Sequence, residues 1–439
     1  METERFYLET LGCQMNIYDS EFIADVLERA GSERVEDPRE ASVILVNTCS
    51  VRARAEGKAI ARLSEFAALG KLNPSLVVGV VGCMAQRLGR RLAQGRVRLS
   101  LVAGFDAYER LPELIREARL RRPIVEISSE PEALFSSRPR CREGTAAFVT
   151  IMQGCDNYCS YCIVPYVRGR ERSKPHGVIV DEIAHLVGLG TREVTLIGQN
   201  VNSYRDGQVD FAQLLELASS VEGLSRIRFT TSHPKDLTVG LIERMRDLPK
   251  VCEHLHLPIQ SGSDRILALM NRGYTRGDFA KIVQFARYTI PTLAVTTDIM
   301  VGFPTETEAD FEGTLKTLED LRFDAAFMFR YSPREGTRAE GLGDDVPLED
   351  KTRRLKAAIA LQNRVTDEKK AALVGKEVEI LIEKESRRDH TFMQGRTREN
   401  WLAKIPREGV RKGETVVADV LSATRWMLSC ERSSRKVGT

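Results

Sequence analysis

No stretch of this 439-residue chain is apolar for long enough to cross a bilayer. The best candidate, residues 76–85, is about half of the roughly 20 residues that a spanning helix needs. No membrane association is expected. A basic and then apolar leader is also missing: the chain opens Met1-Glu2-Thr3-Glu4-Arg5, so the cytoplasm is the expected compartment. An even cysteine count is lacking. Nine cysteines cannot all pair, and a reducing compartment disfavours disulfides, so metal-binding or catalytic thiols are expected instead. Net charge is only +3, but it is unevenly spread. Residues 384–439 hold 13 Lys and Arg against 7 Asp and Glu, while the rest is slightly acidic, which predicts a polyanion-binding appendage. With 42% hydrophobic and 29% charged residues, the composition suits a globular chain of two or three domains.

The most informative run is Cys155-Asp156-Asn157-Tyr158-Cys159-Ser160-Tyr161-Cys162. Thiolates at C-x3-C-x2-C spacing can hold three corners of a four-iron cluster and leave one iron open to a small molecule. That arrangement suits the start of a radical reaction. Structural zinc is the alternative, with Cys141 or His176 as fourth ligand. Cys13, Cys49 and Cys83 form a second set. Each stands at or just past the end of a predicted strand, one βα unit from the next, so the three are expected to converge at the carboxyl edge of a sheet. Such a set suits a cluster or a metal; three independent buried cysteines are the alternative. Cys141, Cys252 and Cys430 have no partner pattern and read as structural.

The chain reads as α/β in three parts. Over 1–120, apolar runs at 6–11, 43–47, 76–82 and 97–103 alternate with helical spacing at 20–30, 54–68 and 111–120, which predicts an open parallel sheet. Residues 121–146, with Pro and Ser clusters and weak periodicity, read as a linker. Over 147–372, six strand-like runs (148–153, 194–197, 227–231, 255–259, 294–301 and 325–331) alternate with helices. They predict an incomplete, open (β/α)6 barrel. Over 373–439, short β-rich runs at 378–382, 401–405, 415–420 and 426–428 are split by glycines, which predicts a small antiparallel β-barrel.

These motifs resemble the radical S-adenosylmethionine methylthiotransferase family over nearly the whole chain. The resemblance is carried by Leu11-Gly12-Cys13-Gln14-Met15-Asn16, Asn47-Thr48-Cys49-Ser50-Val51-Arg52, Val81-Gly82-Cys83-Met84-Ala85-Gln86 and the Cys155–Cys162 run with Ile163–Glu171 after it. Further matches are Gly198-Gln199-Asn200, Thr231-Ser232-His233-Pro234, Leu257–Ser263, Asp298–Pro304 and Tyr331-Ser332-Pro333-Arg334. The C-terminal piece resembles the TRAM module, a small RNA-binding barrel. Gln14-Met15-Asn16 and the region of Val164-Pro165-Tyr166 are most similar to the branch that methylthiolates C2 of isopentenyladenosine beside the anticodon of tRNA. Sister branches act on threonylcarbamoyl-adenosine in tRNA or on an aspartate of a ribosomal protein. A non-catalytic, metal-stabilised RNA-binding protein is the reading from another class.

The resemblance implies two [4Fe-4S] clusters, two S-adenosylmethionine molecules, a tRNA substrate, an unidentified electron donor and a monomer. It assigns Cys155, Cys159 and Cys162 to the radical cluster and Cys13, Cys49 and Cys83 to a second, sulfur-carrying cluster. The Gly-Gly-Glu that many radical enzymes carry after the second barrel strand is absent, with Gly198-Gln199-Asn200 in its place. The expected cofactor contacts are Tyr161 against adenine and Gln199, Asn200, Gln260 and Ser261 at strand ends, each of which is otherwise a packing or turn residue. His254 and His256 share a strand face and, like His233, read as satisfied interior groups. Arg168 and Arg170 read either as anion grips or as solvated surface charge. Trp401 and Phe392 read as barrel core before base-stacking platforms.

Overall fold

The computed structural model describes residues 3–50, 53–127 and 144–433. Cys141, and most of the stretch read as a linker, lie outside the described residues. The chain divides into two compact units. One comprises residues 1–142, 153–156 and 162–178; the other comprises 143–152, 157–161 and 179–439.

The first unit is built on six parallel strands: β1 (Arg5–Leu11), β2 (Glu33–Arg34), β3 (Val43–Thr48), β4 (Val77–Gly82), β5 (Leu101–Ala103) and β6 (Ile124–Glu126), in the order β2-β1-β3-β4-β5-β6. The central strands Val43-Ile44-Leu45-Val46 and Val77-Val78-Gly79-Val80 are buried on both faces, which is why they read as unbroken apolar runs. Helices cover the two faces: α1 (Gln14–Arg29), α2 (Ala53–Leu72) and α3 (Cys83–Leu88) come first, and Leu111–Leu120 follows. Two strands were not anticipated. β2 has only two residues, and β6 runs through the stretch read as a linker, because Ile124 and Val125 are apolar but bracketed by Pro123 and charge. The run 97–103 forms a strand only over Leu101–Ala103.

The second unit carries six parallel strands in two groups of three. Ala146–Thr150, Glu193–Ile197 and Arg226–Phe229 form one sheet; His254–His256, Ala294–Val301 and Ala325–Arg330 form the other. An isolated parallel bridge, Ile227 with Val251, lies where the first sheet meets the chain entering the second. This is the open six-strand arrangement expected. A long helix, Leu348–Ala371, follows and packs on the last strand.

The C-terminal barrel closes from five strands: Glu377–Glu385, Phe392–Thr397, Leu402–Pro406, Thr415–Ala423 and Leu428–Arg432. It is not wholly antiparallel. Leu402–Pro406 and Leu428–Arg432 pair in parallel. Parity requires this: alternating directions cannot close around a ring of five. The strand Phe392–Thr397 was missed because its Gln394-Gly395-Arg396 centre looks like a turn, whereas Gly395 admits the backbone of Leu381, whose carbonyl would lie 2.0 Å from an added Cβ. The last strand begins at Leu428 rather than 426, which leaves Trp426 in the preceding turn and 78% exposed.

The barrel is not a loosely tethered appendage. Buried Arg226 donates to the Glu379 carboxylate at 2.7 Å, to the Glu379 carbonyl at 3.1 Å and to the Arg396 carbonyl at 2.8 Å. Arg228 donates to the carbonyls of Thr397 and Arg398. From the barrel side, Arg398 reaches the Glu253 carboxylate and the Val251 carbonyl.

Candidate functional site

In the first unit, strand register decides the site. Leu11 is level with Thr48, and Thr48 with Gly82, so β1, β3 and β4 end together. Cys13, Cys49 and Cys83 follow those ends by two, one and one residues, and neighbouring strands lie about 4.8 Å apart. The Cys49 amide donates to the Leu11 carbonyl at 3.0 Å. All three therefore stand at one edge of the sheet, where Cys13 and Cys49 share a side-chain hydrogen bond, and Cys13 and Cys83 feel each other's charge.

A buried amide network holds the edge in shape. Asn16 Nδ2 donates to Asn47 Oδ1 at 3.0 Å, and Asn47 Nδ2 donates back to the Asn16 carbonyl and to Ser20 Oγ, both at 2.9 Å. Asn16 Oδ1 accepts from the Cys13 amide, so the cysteine that starts α1 is tied to the neighbouring strand. Gly82 has φ +91°, and a Cβ there would sit 2.4 Å from Asn47 Oδ1, so only glycine fits before Cys83.

The electrostatics favour thiolate at Cys13. The Cys13 thiol is lowered to about 6, first by its hydrogen bond with Cys49 and, against the cost of burial, by the Arg168 charge and local backbone N–H groups. Burial raises Cys83, and Arg168 opposes that rise. Arg168 is thus not surface charge. Its Nη2 pairs with Asp19 at 2.7 Å, its Nε lies 3.2 Å from Cys83 Sγ, and both charged side chains are almost fully buried. Arg170, by contrast, is exposed and pairs with Asp156.

Gly154 and Cys155 begin the second thiol run. Gly154 has φ +78°, and a Cβ there would fall 2.0 Å from the Arg170 carbonyl. The Cys155 amide donates to the Gly169 carbonyl. Cys155 is buried and Cys162 is partly exposed.

In the second unit, residues 157–161 are held by the turn after Leu269. The Ser160 amide and hydroxyl donate to the carbonyls of Met270 and Leu269, and Asn271 Nδ2 donates to the carbonyls of Asn157 and Tyr158. Buried Arg272, to which sequence reasoning gave no role, donates to Cys159 Sγ at 3.2 Å and to the Pro258 carbonyl at 2.7 Å. Its only sequence signal is an Asn-Arg-Gly turn. Tyr161 is partly buried against Ile266, Met270, Phe303, Tyr331 and Ala339.

The polar candidates stand at carboxyl ends of strands, with different duties. Asn200 is committed to the scaffold: its Nδ2 binds Asp236 at 2.7 Å and its Oδ1 accepts the His233 amide. Gln199 Oε1 is buried without a hydrogen-bond partner. Gln260 has φ +75° and bridges to Ile299, while Ser261 is fully buried and its Oγ accepts the Ser263 amide. Thr231, at φ +71°, is a second non-glycine residue in the left-handed region at a strand end, where backbone strain often marks function. His254 and His256 both lie against Thr296 Oγ1, as interior groups. His233 is held well below its usual range, at about 2, by burial and then by the charges of Arg272 and Lys235. Cys252 and Cys430 are buried, with thiols pushed up by burial to about 11 and 12. Trp401 and Phe392 are half-buried beneath Lys370 and Lys404.

Among the described residues, no three His, Cys, Asp or Glu side chains are already drawn together as around one metal ion, and no helix is long and apolar enough to cross a membrane.

Residues 149–318 match the Radical SAM superfamily, and residues 5–104 match the Uncharacterized protein family UPF0004. The chain is 46% identical over 434 residues to a tRNA-2-methylthio-N(6)-dimethylallyladenosine synthase of Moorella thermoacetica, covering 97% of this chain and 98% of that protein. It is 45% identical over 424 residues to the protein of that name from Chloroherpeton thalassium, covering 96% and 94%. Among solved structures, the radical S-adenosylmethionine methyltransferase TsrM from Kitasatospora setae, with cobalamin and a [4Fe-4S] cluster bound, superposes with a TM-score of 0.55 at 14% identity, covering 75% of each chain. The cobalamin-dependent radical enzyme OxsB gives 0.51 at 11% identity, covering 81% of this chain and 56% of that one. These two likenesses are of fold alone.

Proposed function

We propose that this chain, which belongs to the tRNA-2-methylthio-N(6)-dimethylallyladenosine synthase family, is a radical S-adenosylmethionine enzyme that methylthiolates C2 of isopentenyladenosine in tRNA. The observation that carries the reading is the meeting of Cys13, Cys49 and Cys83 at one edge of a parallel sheet, in a chain that also has the C-x3-C-x2-C run. The donor set fits: soft thiolates, a lowered Cys13, a guanidinium on Cys83 and another on Cys159.

In this reading Cys155, Cys159 and Cys162 hold the radical cluster, and Cys13, Cys49 and Cys83 hold the second. Bound there, two four-iron clusters supply one electron to S-adenosylmethionine and a sulfur atom for transfer. The C2–H bond of adenine is one that no side-chain base removes usefully at neutral pH, hence the radical route. Gly154 and Gly82 let the thiol loops approach neighbouring backbone. Asn16 and Asn47 orient Cys13, and Arg272 and Arg168 each donate to one sulfur. Tyr161 lays its ring against the adenine of S-adenosylmethionine. Gln199, with its unpartnered oxygen, is a better polar contact than Asn200, whose amide is already used; Gln260 and Ser261 shape the opposite strand end. Residues 1–120 form the methylthio-bearing domain, 147–372 the radical domain and 373–439 the RNA grip, with exposed Trp426 as a stacking platform. The target base must leave its stack to be reached. The enzyme is read as a cytoplasmic monomer served by an external one-electron donor.

Anaerobic reconstitution tests the reading. About eight irons per chain are expected for two four-iron clusters, falling to about four when either cysteine triad is replaced by alanine. Nucleoside analysis of tRNA bearing isopentenyladenosine should then show the 2-methylthio product. Product on threonylcarbamoyl-adenosine or on a ribosomal protein instead would move the chain to a sister branch. An iron-free chain would overturn the proposal.

A further inference from the structure

We infer that Arg168 is a positioning residue of the Cys13/Cys49/Cys83 centre. Anchored by Asp19, it donates a hydrogen bond to Cys83 Sγ and so raises the reduction potential of the iron–sulfur cluster those thiolates hold. The inference rests on the proposed second cluster and goes beyond it, because Arg168 lies outside the N-terminal sheet and 85 residues along the chain from its sulfur.

Three observations carry it. First, the guanidinium is almost fully buried within a core that includes Cys83, Phe105, Tyr108, Ile163 and Val167, and it lies over the Phe105 ring at 5.3 Å. Burying an Arg–Asp pair there gains little stability over an apolar pair of similar volume, so packing alone does not account for it. Second, the fork is divided. Nη2 faces Asp19 at 2.7 Å, while Nε faces Cys83 Sγ at 3.2 Å. A neutral thiol is a poor acceptor for a guanidinium. An iron-bound thiolate keeps negative charge and is a good one, and hydrogen bonds to cluster sulfurs are a recognised control on potential. Third, Nη1 is buried without a hydrogen-bond partner, so the group is not fully satisfied by the protein around it.

The sign follows from charge. Reduction adds an electron to the cluster, and a donor on its sulfur stabilises the reduced form more than the oxidised one. Asp19 cancels much of the long-range charge of Arg168, so the effect is that of a local, oriented dipole.

The Arg168 helix is Val164–Arg168, the segment immediately after Cys162. The same stretch of chain that leaves the first thiol run therefore delivers a donor to the second thiol set.

The test uses the full chain carrying Cys155→Ala, Cys159→Ala and Cys162→Ala, so that only the second centre can hold iron. In this background Arg168→Lys keeps the charge and loses the Nε donor, and Arg168→Met with Asp19→Asn removes both charges without leaving either alone. After anaerobic reconstitution, iron and sulfide are counted and the midpoint potential is read by redox titration followed by electron paramagnetic resonance. The parent should hold about four irons. The double variant should hold the same iron with its reduction equilibrium weakened about tenfold, a fall of about 59 mV for one electron. Loss of iron from a variant whose iron-free form melts cooperatively at the temperature of the iron-free parent would also support the inference. Full iron with an unmoved potential in both variants would overturn it and leave the second cluster standing. An iron-free parent would overturn the proposed second cluster and this inference with it.

Discussion

Arg226→Met should undock the first two strands of the C-terminal barrel from the radical domain and let them open locally. The side chain is 1% exposed and serves three acceptors on the barrel: the Glu379 carboxylate, the Glu379 carbonyl and the Arg396 carbonyl. Methionine fills similar volume, so the change removes the donors and little packing. Breaking a buried charged pair costs about 3–5 kcal/mol. The Glu379 side chain is 39% exposed and its carboxylate can return to water, which discounts the ion-pair share and places the loss near the lower end, about 3 kcal/mol. Glu193 is not orphaned, because Arg228 still pairs with it at 2.9 Å. At 1.4 kcal/mol per tenfold, an undocked state should become about 100-fold more populated. Hydrogen exchange read by mass spectrometry is the assay. Amides of Glu377–Glu385 and Phe392–Thr397 should lose protection, while those of Ala294–Val301 keep theirs. A rise of less than about threefold in the barrel amides, or an equal rise throughout, would refute the claim that these bonds fasten the two parts. The same contacts make excision of residues 373–439 a poor test of RNA binding, since it would bare Arg226 and Arg228.

Three further outcomes are expected. Gly154→Ala places a Cβ 2.0 Å from the Arg170 carbonyl, so Cys155 must shift; iron should fall by about four per chain, and full iron content would contradict the close approach. His233 has a folded value of about 2 against an ordinary 6.5, so the unfolded chain binds the extra proton between those values. Its contribution to stability is therefore complete above pH 6.5 and is lost by about 1.4 kcal/mol for each unit below it. His233→Gln should flatten the acid limb of a denaturation series relative to the parent, and parallel limbs would count against the burial argument. Cys252→Ala and Cys430→Ala should lower stability by roughly 1–2 kcal/mol as small buried-side-chain losses, and leave iron unchanged; a drop in iron would assign those thiols to a cluster.

Sequence carried the chemistry further than it carried the geometry. The C-x3-C-x2-C run is local, so its spacing alone implied a shared centre. The α/β alternation marked every long strand, because strands buried on both faces, such as Val43–Thr48, have no choice but to be apolar. The short strands Glu33–Arg34 and Ile124–Glu126 left no such trace, since the first has no apolar residue and the second only Ile124-Val125 between Pro123 and Glu126. Asn200 and Arg168 were illegible for one reason: a polar residue's duty depends on what folds beside it. Asn200 proved to be spoken for by Asp236 and the His233 amide, and Arg168 to be buried against Cys83.

By itself the sequence determined which atoms are available, namely six clustered or phased thiols, a basic tail and the periodicities that make two α/β parts and a small barrel. Only the tertiary structure decided that β1, β3 and β4 end level so that Cys13, Cys49 and Cys83 stand at one sheet edge, that five strands force one parallel seam, and that Arg168 and Arg272 each reach a sulfur. Strand register and long-range contact are fixed by packing of the whole sheet, which no local pattern encodes.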